Sequence, residues 1–158
     1  MTLATTTSAR PTRVLAVASA GGHWQQLMSL RGAMRDCDLM FATTLSGLPE
    51  EHGASPAVII PDCNRADFWR MPWCALVLAY WLVRFRPHVL ISTGALPGVM
   101  ALFLGKLMRA KTVWIDSVAN AEEMSMSGRM VRHTADLWLS QWPHVAKASG
   151  ARYAGAIL

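Results

Sequence analysis

Charged residues are scarce in this 158-residue sequence. They make up 16% of the chain, against 53% for hydrophobic residues, and the formal net charge at pH 7 is +5. This composition is too apolar for a disordered protein. The cations are scattered and form no long basic run, so we expect no nucleic-acid partner. The positive charge suits another anionic partner, such as lipid headgroups or a phosphorylated substrate.

Cysteine is also rare. Cys37, Cys63 and Cys74 have no metal-ligand spacing, which predicts reduced cytosolic thiols, two of them in or near the core, and no metal site. Residues 1–12 lack the apolar segment of a secretion signal and are predicted to be a flexible polar tail. The remaining residues, 13–158, have the length of a single domain.

Several well-known motifs are absent. The sequence has no GxGxxG fingerprint, no GxxxxGK[ST] phosphate loop and no GxSxG nucleophile turn. Its histidines show no zinc-binding spacing. These absences disfavour a dinucleotide enzyme, a P-loop enzyme, a serine hydrolase and a zinc enzyme, and we expect no cofactor on this chain.

A run long enough to cross a membrane is missing too. The most apolar segment, Met71–Val83, would form a helix about 20 Å long, whereas the hydrocarbon core of a bilayer is about 30 Å thick. Arg70, Arg84 and Arg86 flank it. Two interpretations remain open: a crossover helix packed on a sheet, or a helix lying in the membrane interface, where Trp and Arg are typical anchors.

Apolar segments of strand length alternate along the chain with segments of helical periodicity. The predicted strands lie in RVLAVAS, DLMFATT, AVIIPD, HVLISTG, AKTVWIDS and ADLWLSQWP, with GARYAGAIL as a last short strand. Helical segments follow the first and fourth of these, in HWQQLMSLRGAMRD and ALPGVMALFLGKLM. The pattern predicts an α/β fold, a Rossmann-like doubly wound parallel sheet.

Two glycine turns connect a predicted strand to a predicted helix. The first, ASAGGHWQQL, contains Gly21, Gly22 and His23. Free amides and the positive end of a helix dipole favour anions at such a turn, and His23 is a candidate general base there. Taken alone, the turn is equally consistent with a simple helix start next to an exposed histidine.

The second turn, STGALPG, places Ser92, Thr93 and Gly94 at the end of the fourth strand. Both turns are predicted to lie at the carboxyl edge of one parallel sheet, where they can share a ligand. Asn120 and Glu122 follow the fifth strand and are predicted to face the same edge. For the acidic pair Glu122–Glu123, a solvated helix start is the more common role.

Three segments in this order resemble a known family: ASAGGHWQQL, LISTGALPGVMALFLGKLMRAKTVWIDS and ADLWLSQWP. They resemble PssD/CpsF-type polysaccharide-biosynthesis proteins. They are also similar to the membrane-recruiting subunit of the eukaryotic split N-acetylglucosaminyltransferase of dolichol-linked oligosaccharide assembly and, more distantly, to the N-terminal half of MurG-type enzymes. The resemblance extends from about Arg13 to Lys147.

This resemblance implies the N-terminal, acceptor-side half of a GT-B glycosyltransferase, with the donor-binding half on a separate chain that brings the UDP-sugar. It implies that Gly21, Gly22 and His23 contact a lipid-diphosphate acceptor and that His23 is the base. Ser92–Gly94 would form the second loop of the cleft, and Asn120 and Glu122 would face it. The chain is expected at the cytoplasmic side of a membrane, as a peripheral or monotopic protein. A non-catalytic membrane scaffold or activator of the partner is the alternative.

Overall fold

The computed structural model describes residues 10–64 and 66–157, so most of the predicted tail lies outside the described residues. The strands of the described chain are β1 (Arg13–Ala18), β2 (Asp38–Thr43), β3 (Ala57–Ile59), β4 (Val89–Ser92), β5 (Lys111–Ile115), β6 (Leu137–Ser140) and β7 (Arg152–Tyr153). The helices are α1 (Gly22–Ser29), α2 (Leu48–Glu51), α3 (Met71–Phe85), α4 (Ala95–Leu107), α5 (Met126–Met130) and α6 (Pro143–Ser149). Single 3-10 turns at Arg31–Met34 and Phe68–Arg70 precede β2 and α3.

All the strands pair in parallel in one sheet. Their order is β3-β2-β1-β4-β5-β6-β7. The chain builds outward from β1 in one direction, then returns to the other side of β1 and builds outward again. The predicted doubly wound α/β sheet is confirmed, and its switch point lies between β1 and β4.

Helices cover both faces of the sheet, as the residues of β1 illustrate. Val14 and Ala16 pack with Trp24 of α1 on one face, whereas Leu15 and Val17 belong to the larger core on the opposite face. Neighbouring residues of a strand point to opposite faces, so an unbroken apolar run is what a doubly covered strand requires. Burying one such side chain contributes about 1.5–3 kcal/mol.

Helix α3 contains the Met71–Val83 segment and packs on the sheet, as the crossover-helix interpretation expects. One side of the helix is fully buried against the sheet through Cys74, Leu78 and Leu82. The other side is solvent-exposed and strongly apolar. We call this surface, with the preceding turn, the apolar face; it comprises Trp69, Trp73, Leu76, Tyr80 and Val83, each more than half exposed.

Three short helices were not predicted from the sequence. Helix α2 lies in a segment with loop composition, α5 lies in a polar stretch, and α6 follows β6. Two cysteines lie in the core as predicted, because Cys63 and Cys74 are buried, whereas Cys37 is half-buried. Burial raises the pKa of the Cys74 thiol to about 12, so this thiol is protonated.

Candidate active site

A polar cleft lies at the carboxyl edge of the sheet, beside the switch point between β1 and β4. Open α/β sheets bind their ligands at this position. The cleft has a volume of about 340 Å³, and the loops after β1, β4 and β5 contribute to its wall. Its lining residues are Gly22, His23, Ala95, Ser117, Ala119, Asn120, Ser125 and Ser127.

Two helices begin at this cleft without a side-chain cap. Gly21 is the N-cap of α1 and Gly94 is the N-cap of α4, and the first turn of either helix contains no acidic residue. The first-turn amides of a helix have no partner inside the helix, and the helix dipole makes this end positive. The two helix starts therefore favour a negatively charged group in the cleft.

Two hydrogen bonds hold His23 in place. Its Nδ1 lies 2.9 Å from the carbonyl oxygen of Thr93, and the Thr93 hydroxyl donates to the carbonyl oxygen of His23 at 2.7 Å. A carbonyl oxygen only accepts, so Nδ1 carries the proton in this contact. In the neutral ring, Nε2 then has the lone pair that a general base needs.

Gly94 makes room for the imidazole ring of His23. A Cβ atom built on Gly94 would overlap the Cε1 and Nδ1 atoms of that ring, and the φ of Gly94, +149°, is one that side chains rarely adopt. The next residue, Ala95, has a φ of 66°, a strained value for a residue with a side chain. The second glycine turn is thus shaped around the histidine of the first.

The Ser92 and Thr93 hydroxyls lie inside the protein. Both residues are fully buried. The Ser92 Oγ accepts from the Gly94 amide at 3.3 Å, and the Thr93 hydroxyl donates to His23. Neither residue lines the cleft, so this geometry gives them a supporting role. Their predicted contact with the acceptor stays a prediction.

Asn120 and Glu122 have different positions. Asn120 lines the cleft and donates from Nδ2 to Asp116 at 3.1 Å. Glu122 is exposed and lines a second cavity of about 560 Å³, which it shares with Arg129 and Arg132. The structure brings Gly22, His23 and Asn120 together and places Glu122 elsewhere.

Asp116 organises the loop that carries Asn120. Its buried carboxylate accepts from the Asn120 amide, the Trp114 indole at 3.1 Å and the Ser125 amide at 2.8 Å. Ser125 in turn caps α5 by accepting from the Gly128 amide. A carboxylate directly after an apolar strand was a visible signal, but its function as a structural hub was not predicted.

A buried pair of glutamines beside the cleft was not predicted from the sequence. Gln26 of α1 donates to the Ser117 hydroxyl at 3.0 Å and accepts from Gln141 at 2.6 Å. Gln141 also donates to the Asp116 carbonyl and accepts from the Ile157 amide at 2.7 Å. This pair ties α1 to the loops after β5 and β6. The sequence offered no signal for it, because an amphipathic helix commonly carries glutamine on its exposed side.

Comparison with known proteins identifies the family of this chain. A family profile described as "Oligosaccharide biosynthesis protein Alg14 like" matches residues 68–157. The mouse UDP-N-acetylglucosamine transferase subunit ALG14 is 27% identical over 166 residues, covering 83% of this chain and 76% of the mouse protein. The corresponding Schizosaccharomyces pombe subunit is 24% identical over 169 residues, covering 87% and 80%.

The chain belongs to the Alg14-like family. Solved structures show how widely this fold occurs: Acinetobacter baumannii MurG superimposes with a TM-score of 0.72 at 11% identity, covering 92% of this chain and 44% of MurG. A Rickettsia bellii UDP-N-acetylglucosamine 2-epimerase superimposes with a TM-score of 0.71 at 10% identity, covering 94% and 46%. The chain spans less than half of either protein. At these identities the likeness shows a shared Rossmann-like fold, the fold of one half of a MurG-type enzyme.

No helix among the described residues combines the length and the hydropathy needed to cross a bilayer.

Proposed function

We propose that this chain is the acceptor-binding subunit of a two-chain glycosyltransferase that acts on a lipid-linked acceptor. The main support for the proposal is the family relationship. Relatives that align along most of this chain have the name UDP-N-acetylglucosamine transferase subunit. The cleft around His23 supports it, because it joins an anion-favouring site to a candidate base.

The partner is a separate donor-binding chain that brings a UDP-sugar. UDP-N-acetylglucosamine is the first donor to test, because the relatives carry that sugar nucleotide in their names. Transfer takes place between the two chains, with the carboxyl edge of this sheet facing the partner. The resemblance to PssD/CpsF-type proteins extends the proposal to polysaccharide precursors carried on undecaprenyl or a similar lipid.

In the proposed reaction, the acceptor diphosphate lies at the uncapped starts of α1 and α4, close to Gly21 and Gly22. The acceptor hydroxyl gives its proton to Nε2 of His23, while Nδ1 stays bonded to the Thr93 carbonyl. The hydroxyl oxygen bonds to the anomeric carbon of the sugar, and UDP leaves with the electron pair of the broken bond. Asn120 is available for a polar contact with the acceptor.

The apolar face is the proposed membrane contact, at the cytoplasmic side. Trp69 and Trp73 are 69% and 62% exposed, which is unusual for such large apolar side chains in water. Arg84 and Arg86 border the same surface. Aromatic and basic side chains together are typical of interfacial helices bound to anionic lipid.

A second candidate function is a non-catalytic scaffold that holds the partner at the membrane. The extent of the apolar face favours it. The two functions predict opposite results for one variant of the assembled pair: in the scaffold, His23→Ala leaves turnover unchanged, whereas in the subunit proposed first it abolishes most of the turnover. Trp73→Glu should release either form from vesicles.

Copurification tests the partnership. A tagged copy of this chain is coexpressed with the product of the adjacent open reading frame, and the eluate is assayed for sugar transfer from UDP-N-acetylglucosamine to an acceptor sugar linked to polyprenyl diphosphate. The proposal expects a stable, active complex. Absence of any complex with a donor-binding chain would overturn it.

A further inference from the structure

An apolar groove lies next to the polar cleft. It has a volume of about 370 Å³ and is lined by Phe68, Met71, Leu96, Met126, Ser127 and Met130. None of these described lining residues is charged. Its volume falls within the range of about 300–1,000 Å³ that is typical of small-molecule sites.

The groove and the cleft adjoin. Ser127 lines both, and Leu96 of the groove directly follows Ala95 of the cleft. A ligand in the cleft therefore lies beside the groove. The groove is also lined by Phe68, the neighbour of Trp69 on the apolar face.

Hydrogen bonds and close packing hold helix α5, which forms part of the groove wall, in place. The amide of Gly128 in α5 donates to the capping hydroxyl of Ser125, and the Trp138 indole donates to the Gly128 carbonyl at 2.8 Å. A Cβ atom on Gly128 would come within 2.8 Å of the Asp116 carboxylate. Helix α5 thus lies tightly on the same carboxylate that orients Asn120 of the cleft.

We propose that this groove binds the part of the lipid chain next to the diphosphate of the acceptor. The inference rests on the proposed function, which places the diphosphate in the cleft. A charged headgroup joined to a hydrocarbon chain matches a polar site that lies beside an apolar one. Methionines are well suited to the wall because their flexible, polarizable side chains adapt to the shape of an irregular chain. From the groove the chain continues past Phe68 to the membrane.

The test measures how much the lipid chain adds to diphosphate binding. The full-length protein is titrated calorimetrically with inorganic diphosphate and, separately, with farnesyl diphosphate. The readout is the ratio of the two dissociation constants. We expect farnesyl diphosphate to bind at least about tenfold more tightly, since burying only a few methylene groups gives that factor.

Two variants probe the groove. Met130→Gln and Phe68→Gln change side chains that are 50% and 67% exposed, so they leave the fold intact. Each should reduce the farnesyl advantage about threefold or more, with the affinity for inorganic diphosphate unchanged. Leu107→Gln, at an 82% exposed position near the end of α4, is the matched control and should keep the wild-type ratio.

The possible failures are distinguishable. If the wild-type protein binds both ligands equally, or if Leu107→Gln lowers the ratio as much as Met130→Gln does, the groove proposal is overturned and the cleft proposal stands. If a partner protein occupies the groove instead, the ratio does not respond to Met130→Gln or Phe68→Gln, which also overturns the groove proposal. If neither ligand binds, both proposals fall.

Discussion

The two glycine turns at the carboxyl edge of the sheet share a local pattern and differ in their surroundings. At the first turn, a Cβ atom on Gly21 or Gly22 would meet no atom within 4 Å. At the second, a Cβ atom on Gly94 would overlap the His23 ring, and one on Gly98 would overlap the Ser92 hydroxyl. The first turn is open toward the cleft, and the second is packed behind it.

This difference separates two functions that the sequence pattern alone does not distinguish. The open turn presents amides and a histidine to a ligand, whereas the packed turn holds that histidine in position through Thr93 and leaves space for its ring. Substitutions of Gly22 and His23 should therefore change turnover at nearly constant stability, whereas Gly21, with a φ of +78°, does not tolerate a side chain. Substitutions in the second should change stability, and turnover through the position of His23.

The largest effect is expected for His23→Ala. Loss of a general base lowers turnover about 10²–10⁴-fold. The measurement is the turnover number of the assembled pair at saturating donor and acceptor. His133→Ala, an exposed histidine outside the cleft, is the control and should retain wild-type turnover. Wild-type turnover in His23→Ala would remove the assignment of His23 as the base.

Gly94→Ala should have the second-largest effect on turnover. The new methyl group displaces the His23 ring, and a shift of about 1 Å in a reacting group can cost about 10²-fold in rate. The strain at its φ of +149° and the overlap together lower the free energy of unfolding by about 1–3 kcal/mol. Turnover and urea unfolding are measured in parallel.

Gly22→Ala controls for stability, since its Cβ atom meets nothing within 4 Å. Its free energy of unfolding should stay within about 0.5 kcal/mol of the wild-type value. Equal stability of Gly94→Ala and Gly22→Ala would contradict the distinction between a packed and an open turn.

Gly98→Ala tests the packed turn without touching His23. Its Cβ atom would overlap the Ser92 Oγ, so we expect a loss of about 1–3 kcal/mol in the free energy of unfolding. Adding Ser92→Ala removes the overlapping oxygen and should recover part of this loss. A double variant as unstable as Gly98→Ala alone would show that Ser92 is not the obstacle.

The smallest effect is expected far from the cleft, at Asp136. Its carboxylate accepts from Lys106 and from the Thr112 amide at 2.9 Å, and the Lys106 ammonium holds its pKa down to about 2. A lowered pKa stabilises the folded protein above about pH 4, and this contribution disappears as the pH falls toward 2. In Asp136→Asn the free energy of unfolding at pH 7 should fall by less than about 1 kcal/mol, because the ion pair is partly exposed.

Urea unfolding between pH 7 and pH 2 checks this prediction. The difference between the wild type and Asp136→Asn should shrink below pH 4, and turnover of the assembled pair should be unchanged. A difference that grows as the pH falls would contradict the assigned direction of the pKa shift.

The sequence predicted the inner strands of the sheet well because a strand covered on both faces is an apolar run that ends at a turn. β1 and β4 were predicted for that reason, and with them the common edge that brings His23 and Gly94 together. Helix α5 was missed because its stability comes from tertiary contacts, the Ser125 cap and the Trp138 hydrogen bond, rather than from helical periodicity.

At the cleft, the position of a residue directly after a strand was easier to predict than the direction of its side chain. The placement of His23 and Asn120 at the cleft followed from their position after a strand. The inward direction of the Ser92 hydroxyl and the distance of Glu122 from the cleft depend on how the chain continues past the strand ends. The Gln26–Gln141 contact joins residues 115 positions apart, which no local pattern can reveal.

On the proposed function, glycosyl transfer needs this chain and a donor-binding partner together. The direct measurement is the initial rate of transfer from UDP-N-acetylglucosamine to an acceptor sugar linked to polyprenyl diphosphate in vesicles, with this chain alone, the partner alone and the two mixed. We predict transfer only in the mixture, with a rate that saturates as one chain is titrated against the other. Full activity of either chain alone would contradict the claim.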